Sequence, residues 1–413
     1  MELLVIEDGG FRNFLPLTWT RPVYDLKCGI SSLLGKILTA YGLDHCGLGC
    51  RDYLAELVAE QHPGYTVNRV DGDEALIING RALFDRQLAS IIPLSGPDCL
   101  YTCGENVVAA RLSGANLAGM DWKTPIEIGS FPAVGTEEVQ AEVISWPWEL
   151  IHHNADQISA DFAQIDRAGT IKGAVSPGAF LEAPDNLYIA EGARIAPGVV
   201  LDASEGPVYI AENVKVMPQA TITGPAYIGP QSLIKIGAKI YEGTSIGEVC
   251  KVGGEVEKSI IHSYCNKQHN GFLGNAYLGK WINIGAGTNN SDMKNNYGIV
   301  RVNLGHEIID TGSIFVGTII GDHTKTGVHT MLNTGAVVGV GCNLFGAGFS
   351  PKFISSFVWG GPGGFSEYRL DKFFQVARRV MERRQKELGA VEEAVLRHIF
   401  DQTGADRGRM MDT

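Results

Sequence analysis

Side chains that can accept protons and bind anions are concentrated in one segment, residues 263–298. It contains Lys267, His269, Asn283 and Lys294 together with the small-residue motif IGAGT. A neutral histidine can take a proton from an amine nucleophile. Asparagine and lysine can hold a sugar and its phosphate, and small residues let the backbone approach a thin, extended cofactor. A lone loop histidine is usually structural, but these neighbours favour a catalytic His269. The segment therefore predicts acyl transfer to an amine.

Isoleucine or valine recurs at every sixth residue over long stretches of the chain, and this spacing predicts the elements that position the segment. Helices give a spacing near 3.6 and ordinary strands a spacing of 2. A period of six predicts a left-handed parallel β-helix, in which three short turns make one coil. The uninterrupted run is Ile210, Val216, Ile222, Ile228, Ile234, Ile240, Ile246 and Val252; shorter runs are Ile189, Ile195 and Leu201, and Ile314, Ile320, Thr326, Leu332, Val338 and Leu344.

The six-residue phase is lost between about 253 and 312 and then regained. Insertions in such solenoids gather on one face and often carry function. The polar segment described above lies within this interruption, which strengthens its candidacy as a functional site.

Four regions follow from the patterning. Strand patterns at 3–8 and 75–80 and a helical pattern at 31–43 predict an α/β domain at the N-terminus. Apolar residues at helical spacing predict a connecting helix, and a charged helical pattern begins near 366. We expect an α/β domain at 1–145, a connecting helix at 146–174, the β-helix at 175–358 and a helical segment at 359–413.

Composition restricts the class of protein. The net charge is −12 and the 413 residues contain 45% hydrophobic and 19% charged residues. This balance argues against a nucleic-acid or anionic-membrane partner. The sequence shows neither a signal-peptide pattern nor a membrane-length apolar run, so we expect a cytoplasmic protein. Two Cys-x3-Cys pairs, Cys46/Cys50 and Cys99/Cys103, offer four thiolates for zinc, but incidental reduced thiols are the preferred interpretation.

The segment KQHNGFLG…LGKWINIGAGTNNSDMKNNYG resembles the acetyltransferase half of the bifunctional bacterial N-acetylglucosamine-1-phosphate uridyltransferase/glucosamine-1-phosphate N-acetyltransferase family. The likeness is greatest to a variant group with a short, diverged N-terminal half. The resemblance implies that His269 is the general base, that Asn283 contacts substrate and that Ala286 touches acetyl-CoA. Thr318 and Ala336 fall where that family lines its CoA groove.

Further expectations come from the same resemblance. The substrate phosphate would be bound by lysines, for which Lys239, Lys251, Lys258 and Lys267 are candidates, and Lys294 lies in the same polar segment. A tyrosine expected three residues after the base is replaced by phenylalanine, so one substrate hydrogen bond is lost or replaced. Hexapeptide acyltransferases resemble each other in forming trimers with shared sites, which implies a homotrimer here.

The N-terminal segment DGGFRNFLPLTWTRPVYDLKCG resembles a diverged version of the sugar-nucleotidyltransferase fingerprint. Glycines there bring N–H groups to nucleoside triphosphate oxygens, and arginine neutralises charge. The resemblance assigns UTP or another nucleoside triphosphate to Gly9, Gly10, Arg12, Thr18 and Arg21. Where the family places a magnesium-binding aspartate this chain has an arginine, and Asp85 is then the candidate Mg²⁺ ligand.

Three functions remain open at this point. The first is acetyl-CoA-dependent N-acetylation of an amino-sugar 1-phosphate such as glucosamine-1-phosphate, either alone or joined to UDP-sugar formation by the N-terminal domain. The second is a sugar-1-phosphate nucleotidyltransferase, such as a glucose-1-phosphate thymidylyltransferase, with a purely structural β-helix. The third is a non-catalytic scaffold or regulatory subunit.

Overall fold

The computed structural model of the protein describes residues 2–411. Its N-terminal part is an α/β domain on a seven-stranded sheet in which Asn106–Ser113 runs antiparallel to both of its neighbours. The remaining strand pairs in this sheet are parallel. From edge to edge the strands are Gly135–Glu138, Cys99–Cys103, Asn106–Ser113, Glu74–Asn79, Glu2–Ile6, Gly47–Gly49 and Thr66–Val67.

Four helices and two short strand pairs complete this domain. The helix predicted at 31–43 is confirmed: the Ser32 hydroxyl caps it by accepting from the Gly35 N–H, and it ends at Gly42, whose φ of 66° suits glycine. The helices are α1 (Leu33–Tyr41), α2 (Ala55–Gln61), α3 (Arg86–Ile91) and α4 (Gly114–Ala118); Lys27–Cys28 pairs with Ser31–Ser32, and Ala82–Leu83 pairs with Glu142–Val143.

The sheet order separates the two cysteine pairs. Cys46 and Cys50 flank the strand Gly47–Gly49, whereas Cys99 and Cys103 end a strand with three others in between. Neighbouring strands are about 4.8 Å apart, so the two pairs are separated by roughly 19 Å. That separation is incompatible with one four-thiolate zinc site.

Two helices connect the α/β domain to the β-helix: α5 (Pro147–His152) and α6 (Asn154–Gln164). The sequence predicted one continuous helix here. Asn154, fully buried at the start of α6, joins both domains. Its side chain accepts from the Gly29 N–H at 2.7 Å and donates to the Gly243 carbonyl at 2.8 Å. Because a buried amide left unpaired is costly, this residue fixes how the helices meet the β-helix.

The β-helix has three parallel-stranded faces. Each coil visits face 1, face 2 and face 3 in turn. Face 1 contains Thr170–Ile171, Leu187–Ile189, Val208–Ile210, Ala226–Ile228, Thr244–Ile246, Ile260–Ser263, Tyr277–Lys280, Ile319–Ile320, Val337–Val338 and Phe353–Ile354. Face 2 contains Ala174–Val175, Arg194–Ile195, Lys215–Val216, Leu233–Ile234, Lys251–Val252, Asn266–Lys267, Lys325–Thr326, Asn343–Leu344, Val358–Gly361 and the antiparallel Gly364–Glu367. Face 3 contains Phe180–Glu182, Val200–Asp202, Thr221–Thr223, Lys239–Ile240, Glu255–Glu257, Phe272–Gly274, Asn289–Asn290 and Met331–Leu332.

The hexapeptide pattern is confirmed as the inward column of this solenoid. All eight residues of the long run, from Ile210 to Val252, are at most 1% exposed. A residue such as Ile228 pairs with Ile246 one coil later, so a regular coil is 18 residues. The corners are tight, because a Cβ added to Gly247 would lie 1.4 Å from the His262 carbonyl oxygen.

The expected interruption at 253–312 is partly wrong. Coiling continues beyond 253 through shortened coils: Ile246 pairs with Ile261, only 15 residues later. The true excursion leaves and rejoins the solenoid at the bridge between Met293 and Phe315. It contains the hairpin of Arg301–Asn303 with Ile308–Asp310. Ile314 therefore lies outside the inward column and is 40% exposed, although it fits the six-residue spacing.

The α/β domain lies along the outer surface of face 1. Outward-pointing Tyr277 and Ile319 of face 1 share a buried cluster with Phe14 and Leu17 of the domain and with Val302 of the excursion. The interface also contains charge: Arg21, 1% exposed, pairs with Asp322 of the β-helix. Burial of apolar surface on both sides makes this a single packed unit.

The C-terminal segment forms α7 (Leu370–Glu382), α8 (Ala390–Gln402) and α9 (Gly404–Met411). The predicted helical segment is confirmed, although Gly364–Glu367 is a strand. Phe373 of α7 and Ile399 of α8 share one buried cluster with Tyr24 and Leu48 of the α/β domain. These helices thus pack against both the α/β domain and the β-helix. Among residues 2–411, none of the helices combines the length and the hydrophobicity that a membrane-spanning helix needs.

Candidate functional site

The predicted base lies on the corner that joins face 2 to face 3, called here the 2–3 corner. His269 follows the face 2 strand Asn266–Lys267 and precedes the face 3 strand Phe272–Gly274. Its side chain is exposed, and its ring has no hydrogen-bond partner within residues 2–411. An exposed, partnerless imidazole is free to exchange a proton with a bound ligand.

Lys267 holds this turn from inside. It occupies the inward column, where Val252 is its partner on the preceding coil. Its ammonium donates to the carbonyls of Gly253 at 2.8 Å, His269 at 3.1 Å and Gly271 at 2.7 Å. Lys267 is only 2% exposed, so it contacts backbone rather than a substrate phosphate. We assign it a positioning role for the His269 turn.

The burial of Lys267 has a pH signature. Burial lowers its pKa from 10.5 to about 8. Between these values the unfolded chain keeps a proton that the folded chain has lost, so the group raises the free energy of unfolding as pH rises. Relative to Lys267→Met, the wild type should gain about 3 kcal/mol between pH 7 and pH 11. Denaturant unfolding of both proteins over that range measures the difference, and a constant difference would contradict the pKa shift.

Small residues flank His269 along the 2–3 corner. Gly254 lies on the preceding coil, where an added Cβ would come within 2.7 Å of the His269 carbonyl. On the following coil the Gly287 N–H donates to the Asn270 carbonyl at 2.9 Å. The neighbouring Ala286 N–H has no acceptor within residues 2–411, so it is free to donate to a ligand. The corner is thus a shallow strip with a base and an unused donor on adjacent coils.

The structure separates the predicted substrate residues. Lys239 lies on face 3 and pairs with Glu255 at 3.5 Å, and Lys258 pairs with Glu242 at 3.8 Å. Lys294, in the excursion, donates to the Ile299 carbonyl at 2.8 Å. In contrast, Asn283 and Lys251 share the outer surface of face 2 and line one groove there. The four lysines that the resemblance nominated, together with Lys294, therefore do not form a single phosphate site.

The three predicted CoA-groove residues lie on two different corners. Ala286 is on the 2–3 corner, whereas Thr318 and Ala336 precede face 1 strands on the corner joining face 3 to face 1. Thr318 and Ala336 are fully buried, and the Thr318 hydroxyl donates to the Ala336 carbonyl at 3.1 Å. A single chain does not bring all three residues into one groove.

Sequence reasoning missed a second histidine on the 2–3 corner. His329 lies one coil above Ala286, to whose carbonyl its N–H donates at 2.7 Å, and its side chain is exposed. The six-residue register contained the signal, since His329 follows the inward Thr326 as Gly287 follows the inward Ile284.

The N-terminal cleft lies at the carboxyl end of the central strands, the usual ligand position in open α/β sheets. Gly9 and Gly10 line it, and its volume is about 180 Å³. Ligand pockets usually occupy about 300–1,000 Å³, so this cleft is narrow for a nucleotide. Arg12 is exposed and 3.6 Å from Glu127 across the cleft entrance.

An arginine occupies the centre of this cleft. Arg81 donates its Nε to Asp8 at 2.7 Å, forms a second contact with the same carboxylate, and donates to the Ile144 carbonyl at 2.8 Å. Asp85, the candidate Mg²⁺ ligand, instead caps helix α3 by accepting from the Leu88 N–H at 2.8 Å. With Asp8 neutralised by a guanidinium and Asp85 outside the cleft, neither of these two carboxylates is available as a Mg²⁺ ligand.

Two other predicted nucleotide-binding residues are internal. The Thr18 hydroxyl is fully buried and donates to the Phe11 carbonyl at 2.9 Å. Arg21 faces the β-helix, where it pairs with Asp322, and it does not line the cleft. Both residues hold the domain together rather than facing a ligand.

Comparison with known families finds a match in the N-terminal part. Residues 3–169 match the family described as "Sugar nucleotidyl transferase". Among curated proteins, the "Bifunctional protein GlmU" of Rippkaea orientalis is 31% identical over 149 residues, covering 35% of this chain and 27% of that protein. That of Picosynechococcus is 31% identical over 156 residues, covering 37% and 30%. The chain spans less than a third of the length of these relatives.

Solved structures similar to the chain include an Arabidopsis UDP-N-acetylglucosamine acyltransferase, at 12% identity and a TM-score of 0.31 over 58% of this chain and 94% of that one. A Francisella novicida UDP-N-acetylglucosamine acyltransferase gives 14% identity and a TM-score of 0.20 over 54% and 89%. The resemblance inferred from the sequence is confirmed by the family match and the curated relatives: the chain is similar to GlmU proteins over about a third of its length, and its residues 3–169 match the sugar nucleotidyl transferase family.

Proposed function

We propose that the chain is a transferase whose β-helix moves an acetyl group from acetyl-CoA to the amine of an amino-sugar 1-phosphate, glucosamine-1-phosphate being the preferred acceptor. The observation that carries the proposal is the 2–3 corner. There the exposed, partnerless His269 ring lies next to a coil whose Ala286 N–H is unused. A base and an oxyanion donor are the two groups that amine acylation requires.

The reaction balances with these two groups. Acetyl-CoA supplies the thioester carbonyl. His269 accepts the proton that the amine loses as the C–N bond forms, and it returns that proton to the departing sulfur as the C–S bond breaks. The Ala286 N–H donates to the carbonyl oxygen while it carries negative charge. Such general base catalysis contributes roughly a factor of 10²–10⁴ to the rate.

The corner also suits a long, thin cofactor. Glycine and alanine on either side of His269 keep the strip shallow. Beyond them, exposed apolar side chains flank the strip: Ile236 is 61% exposed and Val328 is 65% exposed. These can pack against the apolar arm of the cofactor.

We further propose a homotrimer in which each site takes residues from two chains. Thr318 and Ala336 lie on a different corner from Ala286, so one groove can use all three only when a second copy supplies its own corner. Light scattering should give three times the mass of 44.5 kDa. An active monomer would overturn the shared-site geometry.

The test of acyl transfer is thiol release from acetyl-CoA. Release should require glucosamine-1-phosphate and should be absent with N-acetylglucosamine-1-phosphate, which has the same phosphate but no free amine. Equal release with both sugars, or none with either, would reject acetylation of this amine. Glucosamine without phosphate then shows whether the phosphate contributes to recognition.

A second candidate is nucleotidyl transfer by the α/β domain, favoured by the family match of residues 3–169. It would couple UTP to the acetylated sugar phosphate and release pyrophosphate. The ion pair between Arg81 and Asp8 means that Asp8 is not free to bind Mg²⁺. We therefore expect nucleotide-sugar synthesis to be weak in the wild type. Pyrophosphate release at full rate with UTP and Mg²⁺ would show that Arg81 leaves Asp8 on nucleotide binding; failure of both assays would favour the scaffold function.

A further inference from the structure

A groove on the outer surface of face 2 gathers positive charge. Lys251 and Lys325 project from face 2, and Arg383 and Arg384 come from the end of helix α7, which lies across that face. The groove volume is about 340 Å³, within the range of roughly 300–1,000 Å³ typical of ligand pockets. None of the acidic residues among 2–411 lines it.

These four cations lack ionic partners. None of them forms an ion pair with any other residue of the described range 2–411. Elsewhere in this chain most arginines pair with carboxylates, and the chain has 46 acidic residues for 34 basic ones. The acidic residues of the described range lie outside this groove, which leaves a concentrated positive potential in it.

The arrangement is costly without a bound anion. Burial lowers the pKa of Lys325 from 10.5 to about 8. Burial, followed by the charges of Arg384 and Arg383, lowers the pKa of Lys251. Like charges held together in a partly desolvated groove repel one another, and an anion with more than one negative charge relieves that repulsion.

The polar lining favours phosphate over other anions. Asn266 accepts from the Arg384 guanidinium at 2.6 Å, and Asn283 presents a further amide beside Lys325. Guanidinium groups bind phosphate oxygens through paired donors, lysines act as point charges, and amides supply neutral donors. On the α7 side, Val376 and Val380 provide an apolar wall for the rest of the ligand.

We propose that this groove between face 2 and helix α7 binds the phosphate or diphosphate group of a phosphorylated small molecule. Lys251, Lys325, Arg383 and Arg384 hold the anion. Gln268, which precedes His269, lines the same groove, so a ligand anchored there reaches the 2–3 corner. Binding at this groove does not depend on acyl transfer.

Calorimetric titration of the full chain with inorganic pyrophosphate tests the site. We expect saturable binding by the wild type, weakened at least tenfold in Arg383→Gln. Arg383 makes no side-chain hydrogen bond within the described range, so its replacement should leave the fold intact. The matched control is Arg379→Gln, which removes another exposed charge, from the last part of α7 and outside the groove. It should change the dissociation constant less than twofold.

The outcomes are decisive in both directions. Absence of saturable binding, or equal weakening in Arg379→Gln and Arg383→Gln, would overturn the proposal. Competition against pyrophosphate then identifies the source: CoA should displace it better than 3′-dephospho-CoA if the nucleotide occupies the groove, and glucosamine-1-phosphate should displace it better than glucosamine if the sugar phosphate does. Because binding is measured without turnover, loss of thiol release with intact binding would implicate the His269 assignment instead.

Discussion

Replacement of His269 by alanine should lower kcat for acetyl transfer by roughly 10²–10⁴-fold with little change in KM. The imidazole is exposed and unpartnered, so its removal should not unfold the turn. Lys267 holds that turn through backbone carbonyls, which alanine leaves in place. The measurement is acceptor-dependent thiol release across a range of pH, with circular dichroism to verify the fold.

His329→Ala is the matched control for this experiment. It removes a second exposed imidazole from the same corner, two coils along. We expect its kcat to remain within about threefold of the wild type, since one base suffices for amine acylation. Equal losses of kcat in both variants would show that the loss is not specific to His269. A full loss only in His329→Ala would transfer the base assignment to that residue.

Asp322→Ala should lower the free energy of unfolding by about 3–5 kcal/mol, because it leaves the Arg21 charge buried without a partner. The carboxylate pairs with Arg21 and accepts from the Thr20 hydroxyl at 2.9 Å and the Lys280 N–H at 2.8 Å. All of these contacts lie between the α/β domain and the β-helix or beside that interface. Differential scanning calorimetry should show that unfolding begins at a lower temperature than in the wild type. The single unfolding transition should split into two, because the α/β domain and the β-helix then unfold separately.

The control for this variant is Glu255→Gln, which breaks an exposed pair. Glu255 and Lys239 are 37% and 61% exposed, so their interaction contributes at most about 1 kcal/mol. An unaltered single transition in Asp322→Ala would show that the apolar interface alone unites the domains. Comparing the loss of unfolding free energy in the two variants shows whether the effect comes from breaking a buried ion pair or from breaking any ion pair.

The fold could be predicted wherever one side chain in six points inward. Ile210 and its successors are all buried, because inward spacing in a solenoid depends only on local chain length. The same rule failed at Ile314, which matches the spacing but lies in an excursion. It also mistook shortened coils after Val252 for an insertion. Spacing records how many residues lie between two positions and not whether the chain left the coil between them.

The site was less predictable, since it depends on faces and on distant segments. The resemblance supplied His269, Asn283 and Ala286 by position along the chain. It could not show that Lys267 points inward, because a shortened coil places Lys267 only 15 residues after its inward partner Val252. Nor could it bring Arg383 beside Lys325, which are joined only by the packing of α7 on face 2. Contacts between segments so far apart leave no periodic signal.

The packing of the α/β domain along face 1 has a consequence for biosynthesis. Arg21 precedes its partner Asp322 by 301 residues. Ribosomes add roughly 5–20 residues per second, so the apolar surface around Phe14 and Leu17 waits roughly 15–60 s for the solenoid that will cover it. During translation we therefore expect chaperones to bind the exposed surface of the α/β domain. A chain whose synthesis ends before Asp322 would keep that surface exposed and would be prone to aggregation.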